Sequence, residues 1–230
     1  LDLAEKLNLK RKKSKEILEL LKISIFFEKF GDPISNPKKI STKKIKELCK
    51  LINGLAFKPS DWEENGLPII RIQNLNDENK KYNYTSKKFD QKYLVKKDDI
   101  LLSWSGTPGT SFGCFKWKKQ NGWLNQHIFK VHVNEKFIDK DFFLLQMNLK
   151  IDELILKSHG GVGLKHVKKS MIDDIEMMIP PISNQINFIK LINKIDHTIS
   201  KNNIAKKNQD KLFFSIQNLI FNSNINEKNN

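Results

Sequence analysis

The sequence predicts an α+β fold, with one mixed α/β globular domain over residues 31–183 between long amphipathic helices that pack as an antiparallel helical or coiled-coil arm. Three observations carry this. The first thirty or so residues lack Gly and Pro and repeat apolar side chains at three- and four-residue steps. The middle of the chain breaks into short apolar runs separated by turn signals. After Pro180 and Pro181 the helical texture returns.

Residues 1–30 form the first helix, with Leu3, Leu7, Leu18, Leu21 and Ile25 on its apolar side. Gly31, Asp32 and Pro33 stop it, because Gly supplies a left-handed terminus and Pro cannot continue the turn. Strands follow in LPIIRIQNL (67–75), DILLSW (99–104), FGCFKW (112–117) and HIFKVHV (127–133). A helix over residues 138–157 interrupts them, and DIEMMIP (174–180) gives a last strand. The final helix covers residues 184–221 with an Asn-rich interruption, with Ser183 as N-cap and Ile186, Ile189, Ile192, Ile195 and Ile199 on one side. Residues 222–230 are Asn-rich and form a disordered tail. The two helical arms resemble each other: aligning Leu1-Asp2 with Ile195-Asp196 also matches Asn8 with Asn202, Lys12-Lys13 with Lys206-Lys207 and Phe27 with Phe221.

A chain of 230 residues buries a core of ordinary size. Cys49 and Cys114 are too few and too far apart for a metal knuckle and read as small buried hydrophobes in a reducing compartment. No signal peptide or membrane-spanning run is legible, so a cytoplasmic protein with no membrane partner is expected. The first residue is Leu rather than Met, which suggests a piece of a longer polypeptide or a processed one. The net charge of +15 and pI near 9.6 favour a polyanionic partner. The competing reading is codon bias: Lys, Asn and Ile dominate, Arg occurs only at 11 and 71, and the excess charge is spread along the chain.

Several chemistries are missing. HGGVGLKH (159–166) lacks the spacing of a phosphate-binding P-loop and reads as a Gly-rich turn, or as backbone that approaches a DNA phosphate beside Lys165 and His166. The five His form no helical pair with a carboxylate neighbour, so no metal site is expected, and no cofactor motif occurs. Ser103, Ser105 and Ser111 lie in no nucleophile elbow. The pairs Asp98-Asp99 and Asp173-Asp174 read as solvated turns.

Recognition remains. Residues 100–134 contain no Asp or Glu but hold three Trp, four Lys and two His. Asn125 and Gln126 can pair with adenine edges, His127, Thr107 and Ser105 can donate or accept, and Lys116, Lys118 and Lys119 can sit on phosphates. Outside this stretch Lys58, Arg71, Gln73 and Asn74 are further candidate DNA contacts. Two readings stay open for Trp104, Trp117 and Trp123, core packing or contact with nucleic acid. For Arg71 and Gln73 the alternative is an alternating strand with merely solvated outward residues.

The order of motifs resembles the specificity subunit of type I restriction-modification systems. The residues that carry the resemblance are KRKKSKEILELLKISIFFEKFGDP, GLAFKPSDW (54–62), LPIIRIQNL (67–75), KKDDILLSWSGTPGT (96–110), LNQHIFKV (124–131) and HGGVGLKHVKKSMIDDIEMMIPPISNQINFIKLINKID (159–196). The resemblance implies one target-recognition domain, residues 31–183, between helices common to the family at 1–30 and 184–221. It implies double-stranded DNA as ligand, a DNA adenine methyltransferase subunit and a restriction motor-nuclease subunit as partners, and no catalysis by the chain itself. With one recognition domain, the chain is either half of a full subunit or a half-subunit that forms a homodimer. Motifs shared by members with different targets cannot encode the target, so base contacts from residues 77–92 or 112–123 are an open alternative. Rival readings are a non-catalytic assembly scaffold, a nucleic-acid binder without sequence selectivity, and a cryptic nuclease.

Overall fold

The computed structural model describes residues 2–77, 80–106, 112–151, 165–166 and 168–227. It divides into two compact units, Leu1–Lys29 with Asn187–Asn230, and Phe30–Ile186. The fold is α+β, a sheet-rich unit and a unit of long helices.

The helical unit is built from α1 (Asp2–Phe30) and α6 (Ile182–Glu227). Phe26 meets Phe188 edge to face at 5.7 Å, Lys22 bonds Asp196 at 2.7 Å, and Arg11 donates to the Gln209 side chain. Numbers fall along α1 as they rise along α6, so the helices run antiparallel. On α6 the buried stripe is Phe188, Ile189, Ile192, Ile195 and Ile199, whereas Ile186, expected on it, is 40% exposed. On α1, Leu18 and Ile25 lie half-buried in the seam, but Leu7 and Leu21 are exposed, and the Leu3 side chain lies outside the described residues. The difference has a physical cause: Arg11 and Lys22 take seam positions and are matched by polar groups of α6. Opposite the seam, Leu9, Ile17, Leu20 and Phe27 are exposed. Ser183 falls inside the first turn of α6 rather than at its cap, since Asn184 and Gln185 already donate to Pro181. The backbone stays helical to Glu227, past the end expected near residue 221.

The second unit holds two four-stranded sheets. One has the order β2 (Cys49–Asn53), β10 (Ile128–Val133), β6 (Ile100–Ser103), β8 (Gly113–Lys116), all antiparallel. The other runs β4 (Asn83–Thr85), β3 (Leu67–Ile70), β9 (Gly122–Leu124), β5 (Leu94–Val95), with only β3 and β9 parallel. Ile70, Val95 and Leu124 from the second sheet pack with Leu101 and Ile128 from the first around Trp117, which makes the core between them. Among the described residues two smaller pairs complete the strands, β1 (Thr42–Lys44) with β12 (Glu176–Met178) and β7 (Ser105–Gly106) with β11 (Lys165–His166).

Short helices connect them: α2 (Ile45–Leu48), α3 (Ile72–Asn76), α4 (Lys140–Leu149) and α5 (Lys169–Asp173). Asp139 caps α4, its carboxylate accepting from the N–H groups of Asp141 and Phe142. Two amides of α4 close sheet edges. Asn148 accepts from Cys114 N–H at 2.8 Å and donates to Cys114 O at 2.9 Å; buried Gln146 does the same for Met178 at 2.7 and 3.0 Å. LPIIRIQNL is not one strand. It breaks after Ile70 because Asn74 Oδ1 accepts from Arg71 N–H at 3.0 Å and turns the chain into α3, so Arg71 and Gln73 do not alternate along a strand. Residues 152–157 of the helix expected over 138–157 lie outside the described residues. No described helix is long and apolar enough to cross a membrane.

Candidate nucleic-acid interface

Four segments far apart in sequence meet where β3, β6 and β9 end and β10 begins. The turn Asn125–His127, between β9 and β10, is held from both sides: Asn125 N–H donates to Ile70 O at 3.1 Å, Leu55 N–H to Leu124 O at 2.8 Å, and Gln126 N–H to Leu55 O at 2.8 Å. Gly54 makes this approach possible, because a Cβ there would lie 2.2 Å from Asn125 O. Trp104, just after β6, brings its ring to 5.8 Å from both His127 and Phe129. Gln126 Nε2 and His127 Nε2 lie 3.2 Å apart, while His127 Nδ1 is buried with no hydrogen-bond partner. Asn125, Gln126 and His127 are half-buried, set in the scaffold with part of each side chain open.

Arg71 joins the same strand ends. Its guanidinium lies 5.7 Å from the centre of the Trp62 ring and donates through Nη2 to Asn83 Oδ1 at 3.0 Å. Stacking and one hydrogen bond fix its plane. Trp62 is 43% exposed beside it. The expected neighbours Gln73 and Asn74 have local tasks. Asn74 is fully buried, its Nδ2 donating to Lys80 O and Lys81 O, and Gln73 Nε2 also donates to Lys81 O. Both amides close the loop after α3.

The cations differ among themselves. Lys116 is paired with Asp141 at 2.9 Å, Lys118 is exposed, and Lys119 donates to Asn74 O at 3.2 Å while lying over the Tyr82 and Trp117 rings. Lys58 is exposed at the start of the Pro59–Asp61 turn. Core packing claims Trp117 and Trp123, each 3% exposed, and Trp104 is half-buried. Ser105 is buried, and β7 carries it against His166 of β11, so the residues around 165 reach the end of β6. Thr107, the Gly-rich turn 159–164 and the side chains of Lys165 and His166 lie outside the described residues.

The acid-free stretch is therefore partly a core property. Lys130 within it is buried, with Nζ donating to Leu94 O at 2.7 Å and 3.9 Å from Asp99, and burial lowers its pKa against the pull of Asp99. Trp62, Tyr82 and Asn83 were not singled out from sequence; the interleaving of Tyr with Lys in KKYNYTSKK was the available signal. Among the described residues no three of His, Cys, Asp and Glu stand together as a metal site.

Comparison with known proteins agrees with this architecture. The chain is 32% identical over 134 residues to the type I restriction enzyme MjaVIII specificity subunit of Methanocaldococcus jannaschii, covering 55% of this chain and 30% of that protein. It is 26% identical over 140 residues to the type I restriction enzyme EcoBI specificity subunit of Escherichia coli, covering 60% and 28%. Among solved structures, the HsdS subunit from Thermoanaerobacter tengcongensis has the same fold, with a TM-score of 0.61 at 15% identity over 89% of this chain and 49% of that one. The S subunit from M. genitalium matches at 0.55 and 13% identity, over 90% and 55%. The chain thus spans about half of these solved chains and under a third of the two curated relatives. The model of the type I restriction modification DNA specificity domain matches residues 37–210, most of the chain, and the protein belongs to that family.

Proposed function

We propose that this chain reads one half of a two-part site in double-stranded DNA, as the specificity subunit or half-subunit of a type I restriction-modification complex. It makes no covalent change itself; it positions a DNA adenine methyltransferase subunit and a restriction motor-nuclease subunit in the cytoplasm. The observation that carries this reading is the meeting of Gly54–Leu55, Arg71, Trp104 and Asn125–His127 at the ends of the central strands, in a chain of net charge +15. Arg71, Gln126, Asn125 and His127 approach bases, while Lys58, Lys118, Lys119, Lys165 and His166 serve the backbone phosphates. The second half of the site is read by another recognition unit, in the same polypeptide or in a second copy.

The test is to co-express the protein with its cognate methyltransferase and map methylated adenines in host DNA. A two-part motif is expected. An active, co-purifying methyltransferase that leaves no motif would favour the assembly-scaffold reading, for which the exposed Leu9, Ile17, Leu20 and Phe27 of α1 are the supporting observation. With the motif in hand, Gln126→Ala is expected to relax one base position and lose about 1–3 kcal/mol of binding. Unchanged affinity and unchanged preference would remove Gln126 from the base-reading set.

A further inference from the structure

Away from the Asn125–His127 turn, an open cleft of about 710 Å³ lies between the loop after α3, the turn joining β8 to β9, and α4. Leu75, Tyr82, Phe115, Trp117 and Leu144 give it apolar and aromatic walls. Lys118 and Lys119 also line it, no Asp or Glu among the described residues does, and the charge of Lys116 is met by Asp141. Lys119 is held in place by the Tyr82 and Trp117 rings at 5.7 and 5.6 Å and by Asn74 O, which leaves ammonium hydrogens for a ligand. The Tyr82 hydroxyl is buried with no hydrogen-bond partner.

We propose that this cleft receives one nucleotide of the bound DNA, its base turned out of the stack between the walls and its phosphate on Lys118 and Lys119. The inference rests on the DNA-reading function proposed above and adds to it a second recognition site. Each observation selects against a simpler ligand. A phosphate alone has no use for the apolar walls. An acidic protein segment would satisfy the lysines but make no use of the aromatic side chains, which suit a π-face. Unstacking is least costly at weak steps, so the cleft itself can contribute to sequence preference. Tyr82 and Cys114–Gln120, which line the cleft, fall within residues 77–92 and 112–123, two of the segments that the family motifs leave out.

The experiment uses the full chain without the methyltransferase, so that no other subunit extrudes a base. Duplexes carrying the mapped target have 2-aminopurine placed at one position at a time. One position is expected to brighten several-fold on binding. Tyr82→Leu, which removes one aromatic wall, should weaken binding about five-fold or more, and Leu144→Trp, which fills the cleft, should abolish the brightening while selective binding by the rest of the interface persists. Circular dichroism checks that each variant is folded; if Leu144→Trp is not, Lys119→Ala must reduce the brightening instead. Selective binding with no bright position, or brightening that survives in the filled or Lys119→Ala cleft, overturns the inference and leaves the DNA-reading function standing. If the methyltransferase, in the absence of DNA, protects the exposed Lys118 amine from an acylating reagent, the inference is also overturned, because the cleft then belongs to a protein partner. Absence of selective binding in the wild-type chain counts against the DNA-reading function itself.

Discussion

Gly54 shows how much one missing Cβ can determine. The Asn125–His127 turn sits against Gly54–Leu55 at backbone contact, and any side chain at 54 would push Asn125 away. Gly54→Ala is expected to destabilise the fold by about 1–3 kcal/mol and to impair DNA binding beyond that loss, which urea denaturation and binding measured on the same protein would separate. Lys130 makes a different prediction at the same scale. Its folded pKa lies below the ordinary value of 10.5 because burial disfavours the charge. Between the two values the unfolded chain holds the proton and the folded one releases it, so stability rises with pH across that interval and is lost as pH falls through it. Lys130→Met should remove this slope from denaturation curves taken at a series of alkaline pH values. Neither role is legible in the sequence. Gly54 reads as an ordinary turn glycine, and Lys130, one residue of an alternating strand, reads as solvated until β5 is placed beside it.

Among the elements, those that announced themselves were long or strongly apolar. Both long helices, β6, β8, β10 and β12 follow from periodicity and turn signals, since burial of a continuous face leaves a pattern. The strands β1, β4, β5, β7 and β11 have two or three residues each, too few to show alternation, and LPIIRIQNL looked like one strand because the turn at Arg71 depends on a side-chain bond from Asn74. The edge closures by α4 are likewise tertiary facts. Asn148→Leu would strand both backbone groups of Cys114, and a loss of about 1–3 kcal/mol is expected. Asn148→Asp keeps the acceptor but sets a carboxylate against Cys114 O, so it should be no better than Leu. Thermal denaturation of the two variants side by side checks this.

At the scale of the whole molecule, charge is a matter of distribution. The excess of +15 is spread over both units, so attraction to DNA should be general and selectivity local. Lys118→Ala and Lys119→Ala are each expected to lower the slope of log affinity against log salt by about 1, without changing which sequence is preferred by the Asn125–His127 turn. A slope that does not move in either variant would take these lysines off the phosphates. The candidate site was only partly readable at this scale. Composition pointed to the 100–134 stretch, but only folding separates its buried members, Trp117, Trp123, Ser105 and Lys130, from Gln126 and Lys118, which remain open to a ligand.

The closure of β8 by Asn148 has a bearing on how such a protein changes its target. Asn148 grips the main chain of Cys114 and is indifferent to side chains further along the connection from β8 to β9. Residues 118–121 can thus be exchanged while Gly113, Cys114 and Asn148 keep the sheet shut. That gives selection, or a protein engineer, a cassette: libraries randomised there should yield folded members with altered preferences far more often than libraries of equal size that include the anchor.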